Sequence, residues 1–164
     1  MICLHVGSSS TVPSVSAGAP PSVGLRLTPV QSISTLLDLI WASLWNRFPD
    51  LTFSLSEGDI GWIPYFLQRM DRFASRSTDS GIKLKPSEYF QRQMWATYIF
   101  DYVGVQSRQF IGVDRMMWSS DYPHQASSWP KSQEVVARDF AGASEDDIFK
   151  ITRGNAARLY GFAV

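Results

Sequence analysis

Four times along this chain, a short stretch patterned as a β-strand gives way to a stretch patterned as a helix. That alternation constrains the fold most, because parallel neighbours need a crossover between them and the crossing helices then cover the sheet. In the first stretch Ile2, Leu4 and Val6 share one face while Cys3 and His5 share the other. Gly7 to Gly24 is almost wholly Gly, Ser, Thr, Ala, Pro and Val, which predicts a long loop over 7–32. Apolar residues at 33, 36, 37, 40, 41, 44, 45 and 48 predict a helix that Pro49 ends. Leu51 to Glu57 alternates again and Gly58 stops it; Pro64 then suits a first helical turn, with Ile63, Phe66, Leu67, Met70, Phe73 and Ala74 as its buried side. Ser75 to Ser87 reads as loop, Ser87 to Gln93 as a short helix and Trp95 to Phe100 as a strand. An amphipathic turn over 105–111 leads to a fourth strand, Arg115 to Asp121, on which Met117, Ser119 and Asp121 share a face. Gln133 to Phe140 and Glu145 to Ile151 read as helices, the second opened by Ser144 with Asp147 three residues on. A last helical turn runs from Asn155 to Tyr160.

Four β/α units are half of the eight in a (β/α)8 barrel of about 250 residues. The expected fold is therefore α/β, the C-terminal half of a TIM barrel, with residues 1–164 as a single partial domain. Reactive groups in such barrels stand at the C-terminal ends of strands. Here His5, Glu57 and Asp121 end the first, second and fourth.

Lys and Arg number 15 and Asp and Glu number 15, so the chain lacks the positive field of a general nucleic-acid or anionic-membrane binder. Hydrophobic residues at 45% against 18% charged supply a core. A lone Cys3 makes no internal disulfide, which points to a reducing compartment. Ala17-Gly18-Ala19 imitates a signal-peptidase site, but Ser8-Ser9-Ser10, Pro13 and Pro20-Pro21 interrupt every hydrophobic run. Leu36 to Trp45, the most apolar stretch, is short and holds Asp38. A cytoplasmic protein with a small-molecule substrate is the expectation. No Gly-rich phosphate loop follows any strand, which disfavours a small flavodoxin-like binding domain.

A divalent transition metal takes imidazole and carboxylate ligands on a rigid frame with a position left open. The chain has two histidines, His5 and His124, both next to strand ends. Each residue also has a plainer reading. His5 and His124 serve as ordinary loop or core histidines, Asp121 caps a turn through its own backbone, and Glu57 is a solvated strand end. Of the tryptophans, Trp62 and Trp129 stand closest to the expected mouth.

The stretch Ile111-Gly112-Val113-Asp114-Arg115-Met116-Met117-Trp118-Ser119-Ser120-Asp121-Tyr122-Pro123-His124 resembles the eighth-strand signature of the amidohydrolase-2 family. These are metal-dependent hydrolases and non-oxidative decarboxylases related to aminocarboxymuconate-semialdehyde decarboxylase. Asn155-Ala156-Ala157-Arg158-Leu159-Tyr160-Gly161-Phe162 is similar to the family's C-terminal ending. Glu57-Gly58 through Gly61-Trp62-Ile63-Pro64, with Asp71 closing the helix, resembles the sixth strand and helix of one branch, and Leu4-His5-Val6-Gly7 the fifth strand with its metal histidine.

The resemblance implies that Asp121 binds metal and is the catalytic acid/base, that His5 is a metal ligand, and that Glu57, His124 and Trp62 are candidates for a further ligand or a substrate contact. It implies a divalent cation, zinc first and manganese second, and hydrolysis or decarboxylation of a small organic acid, aromatic by the composition of the mouth. In place of the decarboxylase branch's sixth-strand histidine stands Glu57. The family's first-strand His-x-His pair occurs nowhere in the 164 residues. The chain is thus expected to be a fragment, from a truncated gene or a split one, that self-associates or joins a missing N-terminal half. The alternative is a non-catalytic or split-enzyme partner subunit that completes a barrel with another chain.

Overall fold

The computed structural model describes residues 1–6, 13, 15–20, 22–76 and 81–163. Of the loops expected over 7–32 and 75–87, residues 7–12, 14, 21 and 77–80 lie outside the described residues. The chain divides into two compact units, residues 1–58 with 65–94, and residues 59–64 with 95–164. Within each unit the strands follow chain order, β1 beside β2 in the first and β3 beside β4 in the second.

In the first unit, β1 (Ile2–His5) pairs in parallel with β2 (Phe53–Ser56), Ile2 opposite Phe53 and His5 opposite Ser56. The Val6 amide still donates to the Ser56 carbonyl at 3.1 Å. The two chains therefore leave the sheet side by side, His5 and Glu57 at the same level. Between the strands run α1 (Ser22–Leu25), α2 (Thr28–Trp41) and α3 (Leu44–Arg47). The long loop is accordingly shorter than its composition suggests. Pro29 sits in the first turn of α2, where its missing N–H costs nothing, and Ser32, Leu36 and Ile40 form the buried stripe at spacing four. The helix expected over 33–48 is two helices, because Ser43 takes the left-handed conformation at φ 52° and restarts the chain as α3. Trp45 on α3 stacks on Tyr89 at 5.5 Å and meets Phe53 edge-on at 5.8 Å. This aromatic cluster fastens β2 to α5 (Pro86–Gln93). α4 (Ile63–Ala74) precedes α5, and the Asp71 carboxylate accepts the Ser87 amide at 2.9 Å and its hydroxyl at 2.6 Å, which satisfies the opening turn of α5.

In the second unit, β3 (Met94–Tyr98) pairs in parallel with β4 (Met116–Trp118), Ala96 opposite Met116 and Tyr98 opposite Trp118. α6 (Tyr102–Gln106) and α7 (Arg108–Ile111) connect them. β4 is shorter than its sequence pattern: it ends at Trp118, so the alternation that aligned Met117, Ser119 and Asp121 does not reach Asp121. After β4 come α8 (Ser132–Asp139) and α9 (Glu145–Phe149), the latter capped as expected by Ser144, whose hydroxyl accepts the Asp147 amide at 3.1 Å. The chain continues through a π-helical turn, Lys150–Gly154, into α10 (Asn155–Tyr160). A Cβ at Gly154 would stand 2.9 Å from the exposed Phe149 ring, so any other residue there has the ring shift aside. Met116, Ile111, Val105 and Ile151 are fully buried in this unit. Among the described residues no helix is long and apolar enough to cross a membrane.

Asn155 shows how the C-terminal segment holds the sheet. It is 1% exposed and its amide donates to the carbonyls of Val113 and Met116 at 2.7 and 2.8 Å, bracketing the start of β4. Replacing Asn155 with Ala strands two carbonyl acceptors in an apolar core. The expected loss is about 1–3 kcal/mol of stability, measured as a lower urea midpoint at unchanged slope.

Candidate functional site

Each of the two carboxylates that follow a strand, Glu57 after β2 and Asp121 after β4, sits on a left-handed backbone: φ is 60° at Glu57 and 54° at Asp121. A side chain adopts that region at a cost of about 1–2 kcal/mol, and such strain is retained where surrounding structure over-determines it. In the first unit, the His5 Nδ1 lies 2.7 Å from the carbonyl oxygen of Val6 and its Nε2 lies 3.0 Å from Glu57 Oε2. With Nδ1–H donating to a carbonyl, the neutral ring keeps its lone pair on Nε2, the tautomer that ligating histidines take. That lone pair faces a carboxylate oxygen, an arrangement satisfied either by a second ring proton or by a cation.

In the second unit, the loop after β4 closes on itself. The Ser127 hydroxyl and Ser128 amide donate to the Ser120 carbonyl at 2.8 and 3.0 Å, and the His124 amide donates to the Asp121 carbonyl at 2.8 Å. The Tyr122–Pro123 peptide is cis. Asp121 Oδ2 lies 2.9 Å from His124 Nδ1, yet the approach lacks hydrogen-bond alignment and that same nitrogen accepts the Ala126 amide at 3.3 Å. Oδ2 is thus a buried acceptor with no hydrogen-bond partner among the described residues. Its near neighbour is the His124 ring, and a carboxylate oxygen beside an imidazole nitrogen offers the donor types that a divalent cation takes. Tyr122 and Trp129, both exposed, meet edge-to-face at 5.8 Å on the same loop.

The structure therefore brings His5 to Glu57 and Asp121 to His124, with each pair in its own unit. The donors are imidazole nitrogen and carboxylate oxygen, which suit zinc or manganese. They fit a metal in type but not in number, since among the described residues no group of three or more His, Cys, Asp or Glu could hold an ion.

Two acids escaped the sequence reading. Asp101 caps α6 and also accepts amides from the loop after β2, Ile60 at 2.7 Å and Gly61 at 2.6 Å. An Asp three residues before Gly104 and just past a strand is a helix-cap signal that could have found it. Asp59 lies in that loop at φ 52°. Burial, then the nearby Asp101 carboxylate, push its carboxyl up to about 6. Trp62, partly buried, follows the two amides that Asp101 accepts.

A sequence profile of the amidohydrolase family matches residues 23–162, and the chain belongs to that family. Among solved structures, the 5-carboxyvanillate decarboxylase of Sphingomonas paucimobilis is 28% identical with a TM-score of 0.70, over 83% of this chain and 41% of that one. The 2,6-dihydroxybenzoate decarboxylase of Rhizobium is 20% identical with a TM-score of 0.72, over 97% and 50%. A dihydroxybenzoic acid decarboxylase of Polaromonas, crystallised with manganese and the inhibitor 2-nitroresorcinol, is 20% identical with a TM-score of 0.68, over 87% and 47%. The chain thus spans about half the length of the structures it matches or less. No curated protein sequence matches it. The fold class is the one the alternation predicts: α/β, four β/α units, part of a (β/α)8 barrel.

The raised Asp59 pKa has a thermodynamic sign. The folded chain holds the Asp59 proton to about pH 6 and the unfolded chain only to about 4, so the contribution of this group to stability is fully present below 4 and is lost as pH rises through 6. Asp59→Asn removes the penalty and keeps a side chain that tolerates the left-handed backbone. With screening at its solvent side, the variant gains about 1 kcal/mol at pH 7, and the slope of stability between pH 4 and 6 flattens in urea melts.

Proposed function

We propose that this chain is the C-terminal portion of a metal-dependent amidohydrolase-family enzyme, a hydrolase or non-oxidative carboxy-lyase acting on a small aromatic acid. The observation that carries the reading is the buried Asp121 oxygen set 2.9 Å from the His124 ring, within the one segment of the chain most specific to the family. His5 and Asp121 are the ligands, and Glu57 and His124 stand beside them as candidates for a third position or a substrate contact. When bound, the ion supplies Lewis-acid polarisation of substrate oxygens. Manganese in the related decarboxylases supports a divalent cation, zinc being the other candidate. Asp121, held by its turn, takes up and returns the proton of the reaction. The aromatic acids named for the relatives support a planar carboxylic substrate, and Trp62 and the Tyr122–Trp129 pair offer ring faces and edges to it.

The remaining ligands come from strands beyond these four, so the chain joins a polypeptide that carries them; alone it self-associates. A reducing, cytoplasmic setting suits the single exposed thiol, Cys3. A second reading, a partner subunit without catalysis of its own, is favoured by the absence of a three-ligand cluster among the described residues. Translating the DNA upstream of the Met1 codon separates the two. A His-x-His strand there, in frame or in a neighbouring reading frame, supports an enzyme, and its absence supports the partner subunit.

The chain alone is expected to keep little zinc or manganese through dialysis. Joined to its complement it should hold one equivalent by elemental analysis and release CO2 from a dihydroxybenzoate or carboxyvanillate. In that complex His5→Ala should lower metal retention. Asp121→Asn should cut turnover at least about 100-fold. Full activity of either variant would overturn these assignments.

A further inference from the structure

Asp101 makes an arrangement that the functional reading does not use. Oδ2 accepts the amides of Ile60 and Gly61 at 2.7 and 2.6 Å, and Oδ1 accepts the amide of Gly104 at 2.8 Å. One carboxylate thereby joins the loop that follows β2 to the helix that follows β3. The fit is close on both sides. A Cβ at Gly61 would lie 3.0 Å from Asp101 Oδ1, and one at Gly104 would lie 2.3 Å from Ile60 Cγ1. Ile60 and Ile63 are fully buried, and the Ile63 amide donates to the Ile60 carbonyl at 3.0 Å. Trp62 stands in sequence between the two clamped amides and buried Ile63.

The chemistry at position 101 must be acceptor-only. Three N–H groups converge from two sides, and a carboxylate meets both with charge-assisted bonds. An amide cannot, because one face presents its own NH2 to a backbone donor whichever way it is turned.

We propose that Asp101 is a positioning residue of this site, fixing the loop after β2 so that Trp62 is presented in one conformation to the ring of the substrate. It acts through Trp62 and touches no reacting atom. The proposal rests on the reading of Trp62 as a substrate contact, and its test separates the two. Wild type, Asp101→Asn, Asp101→Glu and Gly61→Ala are labelled with 5-fluorotryptophan, Trp62→Phe assigning the resonance. Hydrogen exchange is followed at residues 60 and 61.

In Asp101→Asn those two amides should exchange at least about tenfold faster and the Trp62 fluorine line should shift or broaden, with β1 and β2 amides unchanged. Asp101→Glu, still acceptor-only, should recover part of the protection. Gly61→Ala keeps the carboxylate but crowds one arm, and should loosen the loop in the same direction. In the complemented enzyme, Asp101→Asn should raise KM for 2,6-dihydroxybenzoate at least about fivefold with kcat changed less than about twofold. Unchanged exchange and an unchanged Trp62 line in both Asp101→Asn and Gly61→Ala would overturn the proposal, as would a fall confined to kcat. If complemented wild type does not turn over the aromatic acid, the functional reading falls, and the exchange and fluorine data alone decide whether Asp101 holds the loop.

Discussion

A parallel strand delivers its last residue to the rim of a sheet, but what makes that residue chemically usable is the turn that follows. In this chain the turn is sharp at both carboxylate-bearing exits because Glu57 and Asp121 accept a left-handed backbone that L-residues with a Cβ avoid. The strain is held in place by hydrogen bonding around it. The loop beyond Asp121 closes on the Ser120 carbonyl, and the Val6 amide locks the end of β1 to that of β2. Remove the turn and each carboxylate follows the pleat to a different face. The arrangement of His5 beside Glu57 and of Asp121 beside His124 depends on it.

Much of this was legible in the residues. Alternation located four strands, Pro64 located the opening turn of α4, and Ser144 with Asp147 located the start of α9, because each depends on local rules of pleat, proline geometry and capping. The register that sets His5 level with Glu57 was implicit in two strands ending in usable residues, but only the pairing of Ile2 with Phe53 fixes it. What escaped was conformation without a residue-type signal. Ser43 breaks a helix whose apolar stripe runs on undisturbed, since α3 resumes the same periodicity. Asp121 was placed by an alternation that stops at Trp118, so its orientation comes from its own φ rather than from the strand. Asp101 has partners 40 and 41 residues away, beyond the reach of any local pattern.

The polar interior follows the same logic of satisfying main-chain groups with few side chains. Asn155 serves two carbonyls at the head of β4, Asp71 serves the head of α5, and Asp101 serves three amides. Where the satisfaction fails, the exceptions are informative. Tyr98 OH and Asp139 Oδ2 are buried without hydrogen-bond partners among the described residues; burial, and then the Asp139 and Asp101 charges, drive the phenol pKa upward and keep it neutral. At Asp121 the buried oxygen lies at a strand exit rather than within a helical layer, beside the His124 ring.

The Asp101 carboxylate also limits how this rim can diverge. A residue inserted between Asp59 and Pro64 would have to bulge outward without disturbing two amides, two buried isoleucines and a pair of glycine approaches below 3.1 Å. That loop is in effect fixed in length. The segment after β4 is built differently: its backbone is tied to the Ser120 carbonyl, while the Tyr122 and Trp129 rings stand exposed.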